Sequence, residues 1–236
     1  MERLEGVERL EGVASAYAAV RDGIDTLLRD RGLRRTTPDL TTESLLRGAH
    51  ASAVLDGSGS TLESVRAGGG DEVAQGALRV SVELLGLVPV LAHSPLQALA
   101  RLHTLAAPSS VPDEERGRPR DAEAAARLRQ SVALLEADHP ALVTAALVHA
   151  DLLTTRPFPS ANGIVARAAE RLVLVARGVD TKSLVVPEAG HLALRPAYES
   201  NLRGYAAGGR PGVQAWLLYC AEAYAAGAEA SPLLGG

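Results

Sequence analysis

The chain has 236 residues, of which 47% are hydrophobic and 22% charged, enough for one domain with a proper core. A formal net charge of −4 gives no electrostatic reason for a nucleic-acid partner. The single cysteine, Cys220, excludes an internal disulfide framework and suits a cytoplasmic setting.

Aromatic residues make up only 3% of the chain. The core must therefore be built from Leu, Val and Ala, a composition that favours packed helices over sheet. No apolar run reads as long enough to span a bilayer; Val80–Leu91 and Leu172–Ala176 are short and interrupted. The start repeats Glu-Arg-Leu-Glu-Gly-Val at 2–7 and 8–13 and lacks the layout of a signal peptide. It reads as a frayed extension, since repeat architectures need longer units.

Helical apolar spacing runs from Leu10 to Leu28 and stops at Arg29-Asp30-Arg31-Gly32. Thr41-Thr42-Glu43-Ser44 opens a second helix to about Leu55, broken by Asp56-Gly57-Ser58-Gly59-Ser60. A short turn at Thr61–Val65 precedes Gly68-Gly69-Gly70, which restarts the chain into Glu72–Leu87. Pro95–Leu105 is helical. Ala106–Arg120, rich in Pro, Ser, Gly and charge, reads as an exposed, mobile loop.

Asp121–Glu136 carries an apolar stripe at Ala125, Leu128, Val132 and Leu135. A helix from Pro140 to about Leu153 follows, with proline at a start position where its missing N–H costs little. Gly163–Arg177, Pro196–Ala206 and Gly212–Ala228 complete the pattern, and Leu184-Val185-Val186 is the one β-like run. The fold class is all-α, a single-domain helical bundle.

The loop before Gly163 carries the chemistry. A loop ending in Ala161-Asn162-Gly163 and opening straight into a helix leaves backbone N–H groups unpaired at the helix start, where the dipole favours an anion. Gly163 lets backbone approach a ligand closely. Arg167, one turn on, can fork two phosphate oxygens. Equally, Asn162 can act as an ordinary cap with Arg167 in solvent.

The full run is Arg156-Pro157-Phe158-Pro159-Ser160-Ala161-Asn162-Gly163-Ile164-Val165-Ala166-Arg167. It resembles the Fic (Fic/Doc) signature H-x-F-x-(D/E)-G-N-G-R-x-x-R, keeping Phe158, Asn162, Gly163 and Arg167. Ala161 in place of glycine also occurs in the Doc branch. Ala146, His149 and Arg156 match an Ala-x-x-His helix that precedes the loop, with His149 as a packing residue.

Ser52-Ala53-Val54-Leu55-Asp56-Gly57 resembles the family's inhibitory helix, (S/T)-x-x-x-E-(G/N), with Asp for Glu. Thr61–Val65 looks like the segment that trails it. Leu102-His103-Thr104-Leu105 and Gly117-Arg118-Pro119-Arg120 are similar to the surroundings of the target-binding flap, compatible with a short hairpin. Tyr198, Leu202, Tyr205 and Trp216-Leu217-Leu218 look like the closing helices.

The resemblance implies a Fic-like domain over 40–228 with an inhibitory-type helix at 44–57, an N-terminal helical extension at 1–39 and a tail at 229–236. It also implies an AMP transferase that has lost its chemistry. Arg156 stands where the family has its base, and arginine cannot give up a proton near neutrality. Ser160 stands where an acid helps hold a divalent cation, and a hydroxyl is a poorer ligand. Ile164 replaces a phosphate-contacting arginine.

The implied nucleotide or anion site is Ser160, Ala161, Asn162, Gly163 and Arg167, with Ser52, Asp56 and Gly57 as the inhibitory motif. ATP with magnesium is a weakened cofactor, and a protein target, a nucleotide or a second copy remain as partners. Asp56 and Arg167 are the family's inhibitory pair by position; the plain alternative is that Asp56 only ends its helix. Three readings follow: a binding pseudoenzyme, a transferase with altered chemistry in which Arg156 stabilises phosphoryl charge, and a purely structural module. The histidines His50, His93, His103, His139, His149 and His191 show no paired spacing of a metal site.

Overall fold

The computed structural model describes residues 4, 6–29 and 37–235. Its helices are α1 (Val13–Leu27), α2 (Pro38–Leu55), α3 (Leu62–Arg66), α4 (Glu72–Glu83), α5 (Val88–His93), α6 (Pro95–Ala106), α7 (Ala122–Glu136), α8 (Ala141–Thr155), α9 (Asn162–Ala176), α10 (Pro187–Ala193), α11 (Arg195–Ala207) and α12 (Gly209–Glu229). No strand occurs among the described residues.

Local chemistry explains the starts. Thr61, Asp71 and Asp121 each accept the backbone N–H three residues on, capping α3, α4 and α7. α2 begins at Pro38, earlier than Thr41, because proline at a first helical position fits the fixed φ of the helix.

The centre of the molecule is α9. Every residue from Asn162 to Val175 is buried, with α8 packed along it and α2, α4, α5, α6 and α10 around the rest. A helix enclosed on all sides must satisfy Arg167, Glu170 and Arg171 inside the protein. A second layer is organised by α12, which packs on α1, α8, α10 and α11. There Trp216 is fully buried, and its Nε1–H donates to Ala146 O at 2.8 Å.

Several expectations are corrected. Leu4, Val7 and Val13 are buried core residues, so the described part of the repeat is no frayed extension: its apolar positions cover α12. Met1 to Arg3, Glu5 and the expected stop at residues 30–32 lie outside the described residues. Glu72–Leu87 is not one α-helix; a 3-10 segment at Leu84–Leu87 joins α4 to α5.

The combined stretch Glu72–His93 is long and apolar enough to cross a membrane by length and composition, which the sequence reading missed. It packs here on α6, α9 and α2. Leu184-Val185-Val186 is buried irregular chain, held by Val186 N–H donating to Gly227 O at 3.0 Å. The last residues pack through buried Ser231 and Pro232.

Candidate functional site

α8 ends at Arg156, whose backbone turns into the left-handed region (φ 46°) while its N–H still donates to Leu152 O. The chain then doubles back over six residues into α9. Ala161 is also left-handed (φ 49°), the conformation that aims the next amides along the helix axis. Asn162 fastens the turn from within: its Oδ1 accepts Phe158 N–H at 3.0 Å and its Nδ2 donates to Phe158 O at 2.8 Å. Asn162 therefore shapes the loop.

Phe158 is buried and stacks on His103, with ring centroids 4.5 Å apart and planes 6° from parallel. Gly117 N–H donates to His103 Nδ1 at 2.9 Å, which leaves the ring proton on Nε2, 3.3 Å from Ser160 Oγ. Burial, helped by the nearby Arg116 charge, lowers the His103 pKa to about 4, so the ring is neutral. Ser160 is thus held as an acceptor and keeps its own hydrogen for another partner. His103 is a buried residue of α6 that reaches across to the loop, a role its place in the Leu102–Leu105 segment does not reveal in the sequence.

No flap hairpin forms. Residues 107–121 run through a 3-10 turn at Asp113–Glu115, pinned by buried Ala107 and Val111 and by Arg120 N–H donating to Pro157 O at 2.9 Å. Proline at Pro112 and Pro119 denies this stretch the donors that a paired strand needs.

Arg167 is 1% exposed and lies inside the protein, not in solvent. Its Nε donates to Ser52 Oγ and NH2 to Ser52 O, both at 2.9 Å, and NH1 reaches Tyr198 OH at 3.3 Å. NH2 also meets Asp56 Oδ1 at 2.6 Å, a short charge-assisted contact. Burial pulls the guanidinium pKa down, but Asp56 and Tyr198 outweigh it and hold the group charged. Desolvation raises the Tyr198 hydroxyl to about 12, although Arg167 opposes that.

Asp56 caps the end of α2, and Gly57 follows with φ 94°. A β-carbon on Gly163 would fall 2.2 Å from Asp56 Oδ1 and 2.7 Å from Oδ2. The carboxylate therefore sits directly over the first turn of α9, in the place where that helix end favours an anion.

No protein-family model and no curated protein matches the sequence, but solved structures do. The chain is similar to a Fic family protein from Desulfovibrio desulfuricans G20, with TM-score 0.76, 19% identity, and coverage of 93% of this chain and 74% of that one. It is also similar to Fic-1 from C. elegans, with TM-score 0.69, 15% identity, and coverage of 94% and 72%. The chain has the Fic fold.

The structure places the three substituted positions differently from one another. Arg156 is exposed at the loop's edge. Ser160 is tied to His103. Ile164 is 3% exposed and packs into the apolar core. A cavity of about 700 Å³ between α7 and α8, lined by Arg120, Arg127, Gln130 and Thr155, borders the start of the loop, and one of about 480 Å³ lies between α1 and the start of α8. Two further buried clusters flank Arg167 along α9. Arg171 pairs with Glu188, and Glu170 meets His149 and His191. In the sequence His149, His191 and Tyr198 stand as unconnected residues and Glu170 carries no signal at all.

Proposed function

We propose that this is a binding protein on the Fic fold, a pseudoenzyme whose anion site is closed by its own Asp56 carboxylate. The observation that carries this is the Asp56 carboxylate lying over Gly163 while paired to buried Arg167 at 2.6 Å. A ligand phosphate would take the same place, using the α9 amides, the Ser160 hydroxyl, Arg167 and the exposed Arg156. Ala161 and Asn162 hold the turn, and Ser52 and Gly57 position the closing acid.

Transfer chemistry is not supported. A permanently protonated guanidinium at Arg156 cannot accept a target's proton. With Ser160 in place of an acid, magnesium has no carboxylate to hold it, so ATP is read as binding without the metal. The partner is a nucleotide or a protein that displaces Asp56, in a cytoplasmic setting; a homodimer is compatible. A second reading, a closed structural module, draws on the burial of Arg167 and on the Asp56 carboxylate already filling the place beside Gly163.

Incubation with ATP labelled on its α-phosphate, with cell extract as the source of targets, tests the non-catalytic half. No label should reach protein with the wild type or with Asp56→Ala. Label transferred by either, and lost on Arg156→Ala, overturns the reading in favour of altered transferase chemistry.

A further inference from the structure

Three consecutive helices bring His149 (α8), Glu170 (α9) and His191 (α10) to one point in the interior, all with 0% exposure. His149 Nδ1 lies 3.1 Å from Glu170 Oε2, and His191 Nε2 lies 3.0 Å from the same oxygen. His191 Nε2 is also 3.3 Å from Glu170 Oε1. The ligand-capable atoms all fall within 4.8 Å of one another. Yet His149 Nδ1, although close to the carboxylate, is off the line of a proper hydrogen bond and has no other partner. A buried imidazole nitrogen left in that state calls for an explanation.

The outer atoms of the cluster are all held. His149 Nε2 is bonded to Tyr198 OH at 2.9 Å and His191 Nδ1 to Tyr219 OH at 2.8 Å, while Tyr224 OH donates to Glu170 Oε1 at 2.8 Å. Each imidazole is thus fixed from its far side by a tyrosine, and the carboxylate is oriented by a third through Oε1. That is how outer partners orient metal-binding imidazoles and carboxylates. Ligands of a tetrahedral ion at its usual bond lengths lie about 3.3 Å apart, so the observed spacing needs only a small expansion.

We propose that His149 Nδ1, Glu170 and His191 Nε2 form a closed site for a zinc-class divalent ion. The carboxylate binds through both oxygens and completes four positions. Two imidazoles and one carboxylate suit zinc, and disfavour magnesium or calcium, which prefer all-oxygen sites. Both inner nitrogens must be free of protons for the ion to bind, each ring keeping its proton on the nitrogen that faces a tyrosine. The ion would lock α8, α9 and α10 together beneath the Tyr198–Arg167 contact. Sequence spacing hid the site because its ligands come from three separate helices.

Elemental analysis of protein purified without chelators or a metal-affinity tag tests this. About one equivalent of zinc or a similar ion per chain is expected, and protein unfolded and refolded with cobalt(II) should show the visible absorption of a four-coordinate site. Metal below about a tenth of an equivalent, with no cobalt spectrum after refolding, overturns the proposal. Glu170→Gln keeps the shape of the side chain and should lose the metal. Metal retained at the wild-type level in that variant overturns the proposal equally, and the wild-type analysis stands on its own if the variant does not fold.

Discussion

Arg167 and Arg171 sit one turn apart on the same buried helix, each facing an acid across a glycine, and they are built for different ends. Arg171 is sealed. It donates to Ser183 Oγ at 2.7 Å, Ser183 O at 3.0 Å, Ser44 Oγ at 2.5 Å and Glu188 Oε2 at 3.0 Å, and Glu188 is itself buried. Arg167 is just as deep, but its acid is not: the Asp56 side chain is 23% exposed, at a helix end followed by a glycine turn. A pair closed on both sides holds elements together. A pair open on one side can exchange its carboxylate for another anion, and that asymmetry is why the anion site is proposed at Arg167.

The sharpest way to break the comparison is to remove each arginine's counterpart. Arg171→Leu leaves Glu188 buried and unpaired and should cost about 3–5 kcal/mol in urea unfolding, with much of the loss recovered when Glu188→Leu is added. A loss below about 1 kcal/mol would show that the sealed pair is not structural.

The two glycines give a matched test of smaller size. A β-carbon at Gly48 would fall 2.3 Å from Arg171 NH1 and 2.9 Å from Glu188 Oε2, where nothing can move aside. Gly48→Ala should therefore cost about 1–3 kcal/mol from overpacking. At Gly163 the obstacle is the movable Asp56 tip. Gly163→Ala should change stability by less than about 1 kcal/mol, since alanine's better helix propensity offsets the lost contact, while releasing Asp56 from Arg167. Equal destabilisation by the two substitutions would contradict the distinction.

A further test is in pH. His103 titrates near 4 in the fold and at the ordinary 6.5 when unfolded. Between those values the unfolded chain binds the extra proton, so its contribution to stability is complete above about 6.5 and is lost as pH falls toward 4. His103→Gln should flatten the fall in melting temperature across that window. An unchanged slope would remove His103 as the group responsible.

What the sequence showed and hid follows from contiguity. The loop from Arg156 to Arg167 was legible because twelve consecutive residues carry it, and Asp56 was found through the pattern around Ser52 and Gly57. The contacts of His103 and Tyr198 with the loop and Arg167, and Glu188 and Ser183 altogether, were not, because they depend on which helices face one another, and no periodicity encodes that. α10 is only Pro187–Ala193, too short for an apolar pattern to repeat. The N-terminal repeat masked its own core positions, since Leu4, Val7 and Val13 read as parts of a duplicated hexapeptide before they read as the cover of α12.

The most direct test of the closed anion site is the affinity for ATP, measured by titration calorimetry without magnesium, of the wild type against Asp56→Ala. Releasing Arg167 from a charge-assisted contact worth about 1.5–3 kcal/mol should tighten binding by at least about tenfold in the variant. That gain should vanish when Arg167→Ala is added and should not depend on magnesium. If neither protein binds at millimolar ATP, the pair is only a strut like Arg171–Glu188, and the site at α9 does not exist.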